Sequence, residues 1–276
     1  MRVPAADIDV EALEAAVQGA IPGIRHTALR LEFLPAGEDS YVYAGGGLFV
    51  RLQRNRDGLG LDRALEAAGR LPLAFVLKPL ATFHFGHYFA AVFPFVAGRI
   101  LGTGELRDAG RRLAGLHRIR MDGLRRERFS HPFTPSLEKV KASGLLTAAE
   151  TGRVCVLSDE IAALGEELAA EPIEFVVTHG DPNTHNWLVE NGRLWLCDWG
   201  DIAMGPRERD LFAFSEPALR DAWEGYGRVP DERVLEFYRL RWVLQEIADY
   251  GTRLLDPVCP AEECDHARAE LGRYVR

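Results

Sequence analysis

The chain has 276 residues, 47% hydrophobic and 27% charged, with a formal net charge of −8. That is enough chain for one large domain or for two lobes around a cleft, and the composition is that of a soluble globular enzyme. Mild acidity argues against a nucleic-acid partner, whose phosphates need a concentrated basic surface. Lys78, Lys139 and Lys141 are the only lysines, so nearly all positive charge is arginine.

Residues 9–20, with Val10, Leu13, Ala16 and Val17 on one side, predict a short amphipathic helix. Strand signals follow at 27–34, 40–44 and 48–52, the last two joined through Gly45-Gly46-Gly47 as a hairpin. Residues 61–70 predict a helix, and 74–83 and 87–95 two more strands. From about residue 103 the spacing turns helical, with Leu106, Ala109, Leu113, Leu116 and Ile119 over 105–120. Thr147 and Glu150 form a capping-box signature for a helix reaching about residue 170. Short strands at 174–178, 187–190 and 193–198 come next, the last two around an Asn191-Gly192 turn, and then helices near 216–226, 231–255 and 261–275. The expected organisation is a strand-rich front lobe over 1–97 and a helix-rich back lobe over 98–276.

Cys155, Cys197, Cys259 and Cys264 make neither a disulfide framework nor a zinc pattern, which fits a reducing, cytoplasmic setting. The first residues lack the apolar core of a signal peptide. The most apolar region, 71–97, is broken by Lys78, Pro79, His84, Gly86, His87 and Pro94, so no membrane span is expected.

Residues 178–201 carry the chemistry. Asp181 is followed five positions later by Asn186, and Asp198 opens an Asp-Trp-Gly-Asp run after a hairpin. This is the spacing kinases use in phosphoryl transfer: one Asp for the attacking hydroxyl, an Asn and a second Asp for Mg²⁺. His179, Asp181, His185 and Asp198 can also be read as ligands of a hydrolytic metal, although such clusters seldom follow a matching strand lobe.

With His179-Gly180-Asp181…Asn186, Asp198-Trp199-Gly200-Asp201 and Pro206-Arg-Glu-Arg-Asp210-Leu, the chain resembles the aminoglycoside phosphotransferase family, closest to its spectinomycin-phosphotransferase-like branch. The resemblance runs from about residue 27 to residue 255. It implies an α+β, two-lobed protein-kinase-like fold, with an antiparallel sheet in the N-terminal lobe and a mainly helical C-terminal lobe. It also implies ATP and Mg²⁺ as cofactors, Asp181 as catalytic base or hydroxyl-orienting group, and Asn186 and Asp198 as metal ligands. His179 would pack under the catalytic loop and fix its backbone.

On the nucleotide side, Arg51 stands where kinases usually place a lysine for the α- and β-phosphates; a guanidinium can fork onto phosphate oxygens. Glu66 is the natural ion-pair partner for Arg51, and Asp62, one turn earlier, competes for that role. The turn 35–40 would cover the phosphates, with Ser40 as a donor; no Walker loop occurs. By resemblance, the Pro94 carbonyl and Val96 N–H face the adenine edge, with Phe93 behind it. The acceptor is expected to be a hydroxylated small molecule, an aminoglycoside or aminocyclitol antibiotic favoured over a choline-like or other metabolite, lined by candidates Asp201, Trp199, Glu216, Trp223, Tyr226, Trp242, Glu246 and Asp249. A catalytically silent nucleotide-binding protein on the same scaffold is the third reading. Sequence leaves the oligomeric state open.

Overall fold

The computed structural model describes residues 7–21, 23, 29–35, 40–54, 60–257, 259 and 261–275. Its front half is a five-stranded antiparallel sheet of β1 (Glu32–Leu34), β2 (Ser40–Gly45), β3 (Leu48–Arg54), β4 (Ala81–Phe85) and β5 (Tyr88–Pro94), ordered β1-β2-β3-β5-β4. Gly46 and Gly47, at φ 57° and 76°, supply the left-handed pair a two-residue hairpin needs and set Gly45 opposite Leu48.

Strand alternation then sorts the side chains of β3. Leu48, Val50 and Leu52 are buried under the first helix, α1 (Val10–Ala20), through Leu13 and Val17. Phe49 and Arg51 take the other face, which they share with Ala91 and Phe93 of β5 and with the second helix, α2 (Leu61–Arg70). β5 is buried on both faces, so its run from Tyr88 to Phe93 is continuously apolar. Of the strand expected at 27–34, only Glu32–Leu34 pairs, and residues 27 and 28 lie outside the described residues.

The strand expected at 74–83 begins only at Ala81. Pro72 and Pro79 bracket the stretch before it, and neither can donate to a ladder. That stretch leaves the front sheet and lies on the back half: the Leu196 N–H donates to the Phe75 carbonyl (2.7 Å) and the Leu77 N–H to the Leu196 carbonyl (2.9 Å).

The back half contains β6 (Arg99–Ile100), α3 (Leu106–Leu116), α4 (Thr134–Ala142), α5 (Ala148–Ala169), β7 (Phe175–Thr178), β8 (Trp187–Glu190), β9 (Arg193–Leu196), β10 (Ala203–Pro206), α6 (Glu208–Leu211), α7 (Asp221–Tyr226), α8 (Glu232–Leu254) and α9 (Ala261–Tyr274). Thr147 caps α5 as its sequence predicts: the Glu150 N–H donates to its hydroxyl (3.3 Å) and its own N–H to the Glu150 carboxylate (2.8 Å). The helix expected near 216–226 starts as a 3₁₀ turn at Pro217–Leu219 and becomes α7 only at Asp221. α4, β6 and β10 carry no clear sequence signal; they are short and borrow their stability from neighbours.

One apolar core joins the halves. It runs from Leu65 and Phe93 through Phe75, stacked on Trp187 at 6.0 Å, to Leu196 and Trp199. A second core holds α4, α5, α8 and α9 together. No helix among the described residues is long and apolar enough to cross a membrane.

Candidate active site

β7 delivers the chain into a loop from His179 to Asn186, and β9 delivers it to Asp198. Two hydrogen bonds zip these segments together: Cys197 N–H to the Asn186 carbonyl and His179 Nε2–H to the Cys197 carbonyl, both 2.9 Å. His179 is fully buried, edge-on to Trp199 with ring centres 4.5 Å apart. Its Nδ1 accepts the Asp181 N–H (3.2 Å), so both ring nitrogens are spent on backbone. The imidazole pins the loop and is not available as a metal ligand, so His179 drops out of the ligand set of the hydrolase reading. Burial pushes the neighbouring Cys197 thiol up to about 12, so it stays protonated and donates to the Asn186 carbonyl (3.0 Å).

Asp181 is exposed, yet its carboxylate is aimed. Asn183 Nδ2 donates to Oδ1 and Oδ2 (2.9 Å each), and Asn186 Nδ2 donates to Oδ2 (3.1 Å) and to the Asp181 carbonyl (2.8 Å). Asn183 has no place among the sequence candidates. It caps the turn before Asn186 by accepting the His185 N–H (2.9 Å), and that capping position was its only sequence signal.

Asp198 sits at φ 64°, a left-handed conformation that a short polar residue tolerates better than most. That twist turns its carboxylate toward the front sheet, where the Arg51 guanidinium pairs with Oδ1. Arg51 is held from behind as well, its Nε donating to Ser40 Oγ (3.2 Å). The expected ion pair with Glu66 does not form: Glu66 is exposed on α2, and so is Asp62. The Arg51 side chain points across the cleft because the Asp198 carboxylate is presented to it there, whereas Glu66 keeps its solvation. Residues 36–39 of the expected phosphate-covering turn lie outside the described residues; Ser40, at its end, is buried.

The donor set suits a hard divalent cation. Asn186 spends its amide N–H groups on Asp181, which leaves Oδ1 as its free oxygen, and Asp198, next to the Cys197 whose N–H binds the Asn186 carbonyl, keeps Oδ2 out of its pair with Arg51. At the other end of the cleft, the Phe95 N–H is used by the Gly47 carbonyl (2.8 Å) and the Ala97 N–H by Glu190 (3.1 Å). The Val96 N–H between them forms no hydrogen bond to a described residue, and a purine edge could take it. Pro94 lies opposite Leu48, three pairs along the ladder from Arg51 opposite Ala91.

Beneath the loop lies an anchor that spacing in the sequence does not reveal. Asp210 of α6 has no exposed surface, and its carboxylate accepts the N–H groups of His179 (2.9 Å) and Gly180 (2.7 Å) and a bond from His117 Nε2 (2.9 Å). Burial alone would raise the Asp210 carboxyl; the His117 hydrogen bond, together with the Arg209 charge, outweighs it and holds the group below the ordinary carboxylate value. Burial also pushes the Tyr226 phenol up to about 12, so it donates to His117 Nδ1 (2.8 Å) and fixes the tautomer that donates to Asp210. Next to this, Arg209 donates to Thr178 Oγ1 (2.9 Å) and to the Asp201 carbonyl (3.1 Å), while buried Glu127 is ringed by Arg125 (2.7 Å), Arg241 (2.7 Å) and Arg209 (3.8 Å). The Pro206–Leu211 stretch was the one available pointer to this layer.

Several expected acceptor-lining side chains are structural. Trp199 is buried in the joint core, Trp223 donates to the Leu211 carbonyl (3.0 Å), and Tyr226 belongs to the anchor just described. Asp201 is exposed, and Trp242, 42% exposed, sits by Phe212 and Tyr274 on the helical half.

A front antiparallel sheet, a mainly helical back half and this loop constellation define the kinase-like fold class. The chain belongs to the Phosphotransferase enzyme family, whose profile matches residues 33–259. Protein StrN of Streptomyces griseus is 29% identical over 89% of this chain and 86% of its own length. Among solved structures, a choline/ethanolamine kinase family protein from Mesorhizobium loti superposes with a TM-score of 0.63 at 20% identity, covering 96% of this chain and 94% of that one. A thermostable mutant of aminoglycoside phosphotransferase APH(4)-Ia gives 0.66 at 16% identity, covering 90% and 95%.

Proposed function

We propose that the chain is an ATP- and Mg²⁺-dependent O-phosphotransferase that moves the γ-phosphoryl group to a hydroxyl of a small molecule, with the nucleotide bound between residues 1–97 and 98–276. The observation that carries this is a pair of direct bonds, Asn186 to Asp181 and Arg51 to Asp198, on two segments tied together by the Cys197 N–H to Asn186 carbonyl bond.

Asp181 orients the acceptor hydroxyl and takes its proton. An aspartate is a weak base, but a loose phosphoryl transition state asks mostly for position, and Asn183 and Asn186 provide it. Arg51 offers its guanidinium to the α- and β-phosphates, steadied by Ser40. Asn186 and Asp198 hold the cation, which when bound offsets the charge of the polyphosphate. The Pro94 carbonyl and Val96 N–H read the adenine edge, and Glu66 stays on the solvent face of α2 near the cleft.

For the acceptor, exposed Asp201 and half-exposed Trp242 favour a cationic, hydroxylated compound of the aminoglycoside or aminocyclitol type, through charge and cation–π contacts. The same pair suits a quaternary amine, and a choline/ethanolamine kinase family protein is among the fold neighbours, so a choline-type acceptor is the second reading. A screen of both acceptor classes with ATP and Mg²⁺, read as ADP release, decides the matter. Turnover of aminocyclitols alone supports the first reading and turnover of choline alone the second. Nucleotide binding without turnover of either, or of any member of a wider panel of sugars and other metabolites, would overturn both in favour of a silent nucleotide-binding protein.

A further inference from the structure

The N-terminal end of β7 opens on a cavity of about 130 Å³, roughly four times the ~30 Å³ that a water molecule occupies in the liquid. Arg118, two residues past the end of α3, Arg207, from the corner before α6, and Arg228, just beyond α7, all line it. Arg207 pairs with Glu174. Arg118 and Arg228 are exposed and have no ion-pair partner among the described residues. Among the side chains lining it, three guanidinium charges face the single Glu174 carboxylate, while the Asp210 carboxylate is already bonded from behind by His117, in a chain whose net charge is −8. A larger cleft of about 430 Å³ adjoins it and shares Glu174 and Arg207, but it adds the carboxylates of Glu208 and Asp231 and so disfavours an anion.

The inner wall of the smaller cavity includes His117 and Tyr226. These are the outer members of the chain that runs Tyr226 Oη–His117 Nδ1 (2.8 Å), His117 Nε2–Asp210 (2.9 Å), Asp210–His179 N–H (2.9 Å) and Asp210–Gly180 N–H (2.7 Å). Asp181 comes one residue later. The cavity and the Asp181 loop stand at opposite ends of β7, four residues long, or roughly 13 Å of strand.

The geometry points to a second ligand site here, for a small divalent oxyanion of phosphate type, held by Arg118, Arg207 and Arg228 and felt at the catalytic loop through Tyr226, His117 and Asp210. Guanidinium forks match a tetrahedral oxyanion, and two of the three have no competing partner to displace. An anion drawn against Arg228 changes the field at the Tyr226 hydroxyl, and that hydroxyl sets the tautomer on which the Asp210 contact depends. The site needs no nucleotide and is separate from the proposed phosphotransfer cleft.

The test is a titration of the full chain with sodium phosphate against sodium chloride at matched ionic strength, by calorimetry. The expected result is one phosphate bound by the wild type and equally by Arg51→Gln, with the affinity lowered about tenfold or more in the double variant Arg118→Gln/Arg228→Gln. Both replaced arginines are exposed, so the fold should survive, and circular dichroism checks it. Unchanged affinity in the double variant, or loss in Arg51→Gln instead, would overturn the site. The coupling is read by hydrogen exchange at the His179 and Gly180 amides: saturating phosphate should change their exchange in the wild type and leave it unaltered in Tyr226→Phe. No change in the wild type would overturn the coupling.

Discussion

Arg51 of β3 and Asp198 after β9 form an ion pair between the front sheet and the back half although they lie 147 positions apart in sequence. The side chains are 24% and 41% exposed, so the pair bridges two halves of the molecule at a hydrated surface and contributes little to stability. Its value lies in placement: it holds a guanidinium of the front sheet beside the carboxylate that follows β9.

Replacing Arg51 should therefore damage binding more than folding. Arg51→Ala is expected to weaken ATP binding about tenfold or more, the scale of a lost charged hydrogen bond, while the melting temperature barely moves. Arg51→Lys should recover only part of the affinity, because an ammonium cannot both reach phosphate and keep the Ser40 contact. Calorimetric titration of the two variants checks this, and wild-type affinity in Arg51→Ala would remove Arg51 from the site.

At Asp198 the expected outcome concerns the metal. Asp198→Ala should abolish the Mg²⁺ dependence of nucleotide binding, leaving the same affinity with and without the ion. Persistence of that dependence would mean the cation is held elsewhere.

Asp181→Ala should lower kcat by roughly 10²–10⁴-fold, the usual worth of a positioned general base, with nucleotide affinity nearly unchanged. The test is steady-state kinetics alongside a binding isotherm, and full activity would end the assignment of Asp181 as the base.

Asp210 should govern both stability and its acid limb. With its carboxyl held below the ordinary value in the fold, its contribution is complete above the ordinary carboxylate range and is lost as pH falls through the depressed folded value. Asp210→Asn puts an amide N–H among three donors and should cost about 3 kcal/mol, the scale of breaking a buried ionic contact, while flattening the fall in stability at low pH. Denaturant melts of both forms at neutral and acid pH measure this. Equal stability at neutral pH would show that the anchor is dispensable.

Gly180 is constrained twice over. It sits at φ 106°, and a β-carbon there would lie 2.5 Å from Arg209 Nη2. Gly180→Ala should cost roughly 1–3 kcal/mol and reduce kcat as well, because the displaced loop carries Asp181. A melting curve and a rate, compared with Gly152→Ala, where no atom crowds the added carbon, make the check specific. Wild-type values in Gly180→Ala would contradict it.

Local signals sufficed for much of this molecule. A strand signal exposed β3, a run of three glycines gave its hairpin, a capping box opened α5, and the spacing of Asp181, Asn186 and Asp198 marked a candidate site, because each of these is a pattern within a few tens of residues. Tertiary structure alone decided who meets whom. Arg51 takes Asp198 and not the nearby Glu66; Trp199 and Tyr226 serve packing and anchoring; and Asp210, with His117 far upstream in the chain, carries the loop from below. Helix and strand periods fix which face a side chain occupies. The partner on that face is chosen by packing between distant segments, where burying a charge is tolerated only if donors converge on it, and that convergence leaves no mark on local sequence.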